Sequence, residues 1–170
     1  ERALLNINDL PGISAISSIE PGVEEGASKI ILNVIEDDLV TGNITLDNHG
    51  NRYTAKQRNT IKIDFNNPSK IGDKLSITKT FNAGEKFDFT QFDYEVPVGQ
   101  SGFKAFASAS RLEFEIGKEL RTNPVSLGNA DTIEVGVKYP IQRTNNQSVF
   151  LKTGIEKKEI YNETTGVLTN

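Results

Sequence analysis

Thr132-Ile133-Glu134-Val135-Gly136-Val137-Lys138-Tyr139-Pro140-Ile141 is the stretch on which the fold class turns. Ile133, Val135, Val137 and Tyr139 stand at every second position, with Glu134, Gly136 and Lys138 between them. A β-strand turns successive side chains to opposite faces, so this spacing makes one face apolar and the other polar. The alternation recurs in Ile61, Ile63 and Phe65 against Lys62 and Asp64, and in Val149 and Leu151 against Ser148 and Lys152. From about residue 38 onward the spacing predicts seven strands, at 39–47, 53–65, 74–81, 86–98, 103–116, 132–141 and 148–161, each closed by a turn cluster. Two break phase. Phe87 and Phe89 are odd-numbered but Phe92, Tyr94, Val96 and Val98 even, which predicts a bulge near Thr90-Gln91. Phe103, Ala105, Ala107 and Ala109 likewise disagree in parity with Leu112, Phe114 and Ile116, so the faces of these two strands stay unassigned.

The turns fall into two sets, as consecutive hairpins require. Asn66-Asn67-Pro68, the Val98 to Gly102 run and the Gln142 to Gln147 run belong at one end; Asp47 to Arg52, Asn82 to Glu85 and Lys118 to Asp131 belong at the other. Pro97 and Pro140 each precede a turn of the first set, where a missing ladder donor costs least.

The opening residues have a different texture. Ala3, Leu4, Ile7 and Leu10 follow helical spacing until Pro11-Gly12, and two short strands, at 13–19 and 29–34, follow. Glu1-Arg2-Ala3-Leu4-Leu5 reads as the middle of a helix, so the chain is expected to be a piece of something longer. Helix, strand, turn and strand bury too little to stand alone.

Composition removes several chemistries. There is no cysteine and a single histidine, His49, so thiolate catalysis, disulfides and zinc clusters are not expected, and neither is any cofactor. A net charge of −4 gives no footprint for nucleic acid. Glu24-Glu25 and Asp37-Asp38 lack the spacing of a calcium loop and read as solvated loop charge, and His49, among Asp47, Asn48, Gly50 and Asn51, reads as a turn residue. Asn43-Ile44-Thr45, Asn146-Gln147-Ser148 and Asn162-Glu163-Thr164 match the glycosylation pattern by chance in the setting reached below. No enzyme is expected, and no residue is assigned a catalytic or metal-binding role.

The strands admit two readings. In a soluble all-β sandwich or barrel, including an adhesin-like binding domain, the apolar face turns inward. In a membrane barrel it meets lipid, and the polar face lines a hydrated lumen. Strand length favours the second, since a lipid-spanning strand needs about 9 to 11 residues and soluble strands average about 5 to 6. Tyr53, Phe65, Phe81, Tyr94 and Tyr139, near strand ends, suit interfacial girdles and core packing equally.

An ordered series of motifs decides between them. The Glu1 to Ile13 run, Glu20-Pro21-Gly22 and the strand that follows resemble the end of a POTRA domain in two-partner secretion transporters. Gly42-Asn43-Ile44-Thr45-Leu46-Asp47-Asn48-His49-Gly50-Asn51-Arg52-Tyr53-Thr54 is similar to the first barrel hairpin of those proteins, with His49 where an aromatic is common. Asn66-Asn67-Pro68, Gly72-Asp73-Lys74-Leu75-Ser76, Tyr94 to Gly99 and Tyr139-Pro140-Ile141 continue in the same order. The family is the haemolysin activator and filamentous haemagglutinin transporter group (ShlB/FhaC/HecB, or TpsB, type) of the Omp85 superfamily.

The resemblance implies a mainly β fold: residues 1–37 as the C-terminal part of a small α+β POTRA domain, and 38–170 as antiparallel meander strands of a transmembrane β-barrel, about seven of an implied sixteen. It places the protein in the bacterial outer membrane with the POTRA part in the periplasm. Its implied partners are outer-membrane lipid and a secreted exoprotein, unfolded in the periplasm, whose folding outside drives export; an Omp85-type factor assembling other outer-membrane proteins is the neighbouring alternative. An exposed sheet edge suits an extended partner strand, and Ile13, Ser14, Ala15, Ile16, Ser17, Ser18 and Ile19 are the candidate edge. Lys62, Asp64, Glu134 and Lys138 are the candidate lumen-facing groups.

Overall fold

The structure, a computed structural model, describes residues 2–24, 26–82, 84, 86–116 and 126–164. A short helix, α1 (Arg2–Asn8), is followed by an antiparallel pair, β1 (Ile13–Pro21) and β2 (Ser28–Glu36). Seven further strands, β3 (Val40–Asp47), β4 (Arg58–Asn66), β5 (Lys74–Phe81), β6 (Phe87–Pro97), β7 (Lys104–Glu115), β8 (Ser126–Arg143) and β9 (Ser148–Thr164), form one antiparallel meander in chain order.

The register explains why this sequence makes this sheet. Val40, Phe65, Leu75, Tyr94, Ala107, Val135 and Ile155 lie directly opposite one another across all seven strands, an apolar rank from edge to edge. One residue along, on the other face, run Thr41, Asp64, Ser76, Asp93, Ser108, Glu134 and Glu156, and every member is polar. A slip of one residue in any strand would drive its apolar set onto the polar face.

Exposure tells which way the sheet curls. Ile133 and Val135 are 58% and 51% exposed, whereas the Glu134 side chain between them is 29% exposed; Asp64 is 15% exposed beside Ile63 at 38%. The polar face is the sheltered one. Among the described residues, only Ala15 and Ala55 are buried hydrophobics. A soluble sandwich needs a second sheet on the apolar face, and here all seven strands lie in one layer with that face turned outward. On β8 the outward side chains Ile133, Val135, Val137, Tyr139 and Ile141 span eight steps, ~27 Å along the strand at ~3.4 Å per residue. At a tilt of about 40° that becomes a band roughly 20 Å tall, near the height of the lipid-facing belt of membrane barrels.

Three expectations change. No bulge interrupts β6: Thr90 and Gln91 pair with Arg111 and Ser110 in unbroken register, and the one irregularity among the described strands lies between Pro140 and Gln142. The parity break arises because Phe87, Phe89, Leu112 and Phe114 lie on the otherwise polar face, at the end of the sheet away from α1, while Phe92, Tyr94 and Val96 belong to the outward face. The second strand of the hairpin begins at Arg58, not Tyr53, because residues 50–57 form a turn: Asn51 accepts from the Tyr53, Thr54 and Ala55 amides, and the Gly50 amide donates to Lys56 O. His49 is a turn residue whose amide donates to Asp47. Residues 118–125 of the expected long turn lie outside the described residues, and 126–131 extend β8. Of the expected girdle, Phe65, Phe81, Tyr94 and Tyr139 lie on the outward face and Tyr53 in the turn.

Glycine and aromatic side chains close the inner surface together. Phe106 lies directly opposite Gly136, and Phe114 directly opposite Gly128. A Cβ at Gly136 would stand 2.5 Å from Phe106 Cζ and 2.3 Å from Thr153 O. The ring fills the space the glycine leaves, a pairing that lets a sheet curve without a void. Gly136→Val is expected to destabilise the assembled full-length protein by about 2 to 3 kcal/mol, the upper range for overpacking against atoms that cannot withdraw. Urea midpoints of the folded protein measure this; an unchanged midpoint would remove the ring-over-glycine account.

Candidate functional site

Three features bear on function: a joint between the α1 segment and the large sheet, the polar inner face, and strand β1 of the small hairpin.

The joint seats the segment from Asn6 to Gly12 on the three turns at that end. Leu10 fits against Gly72, whose φ of 84° only a glycine adopts readily; a Cβ there would lie 2.9 Å from Leu10 Cδ2 and 3.3 Å from Pro97 Cγ. Gly102 makes the matching gap for Asn6, with a Cβ position 3.1 Å from the Asn6 amide and 2.9 Å from Pro140 Cγ. The turn that receives Leu10 is internally rigid. The Asp73 carboxylate accepts from Ser69 N at 3.1 Å and Tyr94 Oη at 2.9 Å, and Asn67 Oδ1 accepts from Gly72 N at 2.6 Å. Burial pushes the Asp73 carboxyl up, but these donors outweigh it and hold the group below its ordinary value.

Polar contacts then fix the helix. Asp9 takes the Arg143 guanidinium in two hydrogen bonds of 2.8 Å each, the planar fork-to-fork match of arginine and carboxylate. Lys104 Nζ donates to Asp9 O at 3.0 Å and to Glu95 Oε1 at 2.8 Å, and Arg2 donates to Pro140 O at 3.0 Å. The Arg143 hydrogen bonds hold the Asp9 carboxyl below its ordinary value against the opposing pull of burial, with Lys104 and Lys138 adding to the effect.

Lys62, Asp64, Glu134 and Lys138 fall on one face of the sheet, the sheltered one. Lys62 lies one rank from Asp64, and the registers place Glu134 and Lys138 on the same face of β8. Asp64 is held by Ser76 Oγ and by Lys62 and Lys74 at 3.5 Å each; Glu134 pairs with Lys152 at 3.1 Å. Lys104, Lys138 and Lys152 stand directly opposite one another. Like charges so placed repel, and the structure offsets this with Glu95 for Lys104, Glu134 for Lys152, and the Phe150 ring 4.7 Å from Lys138. The lysine rank, Asp9 and Arg143 were missed by the sequence reading, because only the register or a contact across 134 residues brings them together.

The strand edge lies on the other side of the joint. The expected residues 13–19 form most of β1, whose ladder with β2 runs from Ile13↔Glu36 to Pro21↔Ser28. Ile16 and Ile19 are 63% and 74% exposed, and Ala15 is buried. Among the described residues, no group of three His, Cys, Asp or Glu is placed to hold a metal ion, and no helix is long and apolar enough to cross a membrane.

Comparison with known proteins follows the same outline. The family model for haemolysin secretion/activation protein ShlB/FhaC/HecB matches residues 26–168. Heme/hemopexin transporter protein HuxB of Haemophilus influenzae (strain 86-028NP) is 22% identical over 98% of this chain. Outer membrane transporter CdiB of Escherichia coli O6:K15:H31 is 23% identical over 99% of it. The chain spans 29% of the length of either relative. Among solved structures, CdiB from Escherichia coli superposes with a TM-score of 0.72 at 23% identity, over 96% of this chain and 31% of that one. CdiB from Acinetobacter baumannii does so with 0.62 at 20% identity, over 92% and 31%. These likenesses show the fold: antiparallel strands of a barrel that this stretch does not close.

The joint yields a pH prediction. A carboxyl whose folded pKa is lowered contributes stability that is fully present above its unfolded value and lost as pH falls through the folded one. The Asp9 contribution should therefore be intact from pH 7 to 5 and disappear only below the ordinary value of 3.8. Distances between spin labels on α1 and on the β8–β9 turn of the full-length protein should be unchanged between pH 7 and 5 and broaden below that value. Asp9→Asn should broaden them already at pH 7.

Proposed function

The chain belongs to the haemolysin secretion/activation protein family ShlB/FhaC/HecB, and on that premise we propose that it is part of an outer-membrane pore that recognises and exports a large partner exoprotein of haemolysin, adhesin or toxin type. The observation that carries the reading is the pair of adjacent ranks, one apolar across seven strands and turned outward, the other polar across seven strands and sheltered. Such a sheet satisfies its backbone in lipid and keeps water on its inner face.

In this reading residues 1–37 are the end of a POTRA domain in the periplasm, and 38–170 are the first strands of the barrel. The face bearing Lys62, Asp64, Glu134 and Lys138 lines the hydrated path. Paired acids and bases suit passage of an unfolded chain, because neither sign dominates enough to trap it. The helix-bearing end, where POTRA meets barrel, is the periplasmic mouth.

The edge of β1 receives an extended segment of the cargo by strand addition. Composition supports β1 over its neighbour. Ser14, Ser17, Ser18 and Glu20 give β1 the polar character of an outer edge, whereas Ile30, Ile31, Leu32, Val34 and Ile35 give β2 the aliphatic run of a strand paired on both sides. The outer membrane named for one relative and the transport named for both relatives agree with the pore reading.

The test uses the full-length protein in cells with its exoprotein. It should fractionate with outer membranes, shift mobility on heating, and deliver the exoprotein to the medium. Ser17→Pro removes an outward N–H from β1 at a position where an edge tolerates proline. It should leave barrel assembly intact and lower export about ten-fold, roughly the effect of a lost hydrogen bond and the register it fixes. A soluble full-length protein would end the pore reading, and unchanged export by Ser17→Pro would end the β1 assignment.

A further inference from the structure

The β1 edge is not uniformly open. In an antiparallel pair, residues alternate between exchanging hydrogen bonds with the partner and pointing their N–H and C=O away from it. Asp37 N donates to Gly12 O at 3.0 Å and Gly22 N to Ala27 O at 2.8 Å, so the even-numbered residues of β1 face the β2 ladder. The outward groups belong to Ile13, Ala15, Ser17, Ile19 and Pro21. At Ala15 they are already taken. Asn8 Oδ1 accepts from Ala15 N at 2.6 Å, and Asn8 Nδ2 donates to Ala15 O at 3.0 Å. One side-chain amide thus makes the two hydrogen bonds that an added strand would make there.

We propose that Asn8 is a register stop: an incoming extended segment can pair with β1 from Ser17 to Pro21 and is halted at Ala15. This rests on the β1 edge of the proposed function and adds to it the register and length of the segment that binds. Ser17 and Ile19 each offer a donor and an acceptor, and Pro21 an acceptor alone. To go further, the segment must displace the Asn8 amide, exchanging two hydrogen bonds for two and leaving the amide to find new partners. The local bond also has the advantage of needing no association. Asn8 thereby keeps the incoming segment clear of the adjacent Asp9 joint and of the turns that seat it.

Photo-crosslinking in the full-length protein tests this, with the probe being its exoprotein arrested in transit by a stably folded C-terminal fusion. A photoreactive residue at Ser17 or Ile19 should give adducts with the exoprotein, and one at Ile13 should not. In Asn8→Ala, the Ile13 adduct should rise by roughly an order of magnitude, the ratio set by about one net hydrogen bond. Asn8→Ser, too short to span both groups, should behave alike and serves if Asn8→Ala fails to assemble. An Ile13 adduct equal to that at Ser17 in the unsubstituted protein, or one that ignores both substitutions, would overturn the register stop while leaving the edge. Adducts at none of the three positions, from a protein that still exports, would overturn the edge itself and the stop with it.

Discussion

The rest of the structure depends on a parity constraint. In an antiparallel meander, residues directly opposite one another share a face, so the choice made by Phe65 on β4 binds Leu75, Tyr94, Ala107, Val135 and Ile155 in turn. Because every residue in that rank is apolar and every residue in the next is polar, no strand can slip singly without a large penalty. The register is the agreement of seven strands rather than the strength of any one. It also dictates curvature: a sheet that must keep its ion pairs in water and its aliphatic groups out of it closes around the polar side.

Glycine placement shows how that curvature is accommodated. Gly136 and Gly154 lie opposite each other on β8 and β9, with the Phe106 ring close to both Cβ positions. Small residues backed by a ring from the adjacent strand permit a bend with no hole in the inner wall. Lys152 sits 4.2 Å from the same ring, so the aromatic that fills the gap also steadies a cation from the lysine rank. Structural and electrostatic roles converge on one phenylalanine.

Much of this was legible in the sequence, and the rest was not for identifiable reasons. Strands β5 and β9 begin where period-two patterning placed them, and Lys62, Asp64, Glu134 and Lys138 share a face because each stands in clean alternation. Patterning failed on β6 and β7, since it assumes that apolar residues choose one face. Phe87, Phe89, Leu112 and Phe114 are apolar on the inner face, so a change of surroundings imitated a change of phase. The joint was invisible for another reason: Asp9 and Arg143 are 134 residues apart, and nothing in either neighbourhood names the other. Asn8 lay beside the predicted edge, yet its two hydrogen bonds to Ala15 required knowing which backbone groups of Ala15 turn outward.

The C-terminal end of α1 gives the joint its consequence. Polar side chains at its C-terminal end hold it in place. Those contacts divide between two bodies. The Asn8 side chain holds Ala15 on the small sheet, while the next residue, Asp9, holds Arg143 on β8 and, through its carbonyl, Lys104 on β7. Two consecutive residues therefore tie the small hairpin to the turns at one end of the large sheet. A strand that halted at Ser17 would leave this pair of anchors undisturbed; one that ran on to Ile13 would dislodge Asn8 and disturb the backbone that carries Asp9. The Asn8 amide thus couples the β1 edge to the joint, and that geometry follows from a strand whose outward backbone groups fall on odd-numbered residues.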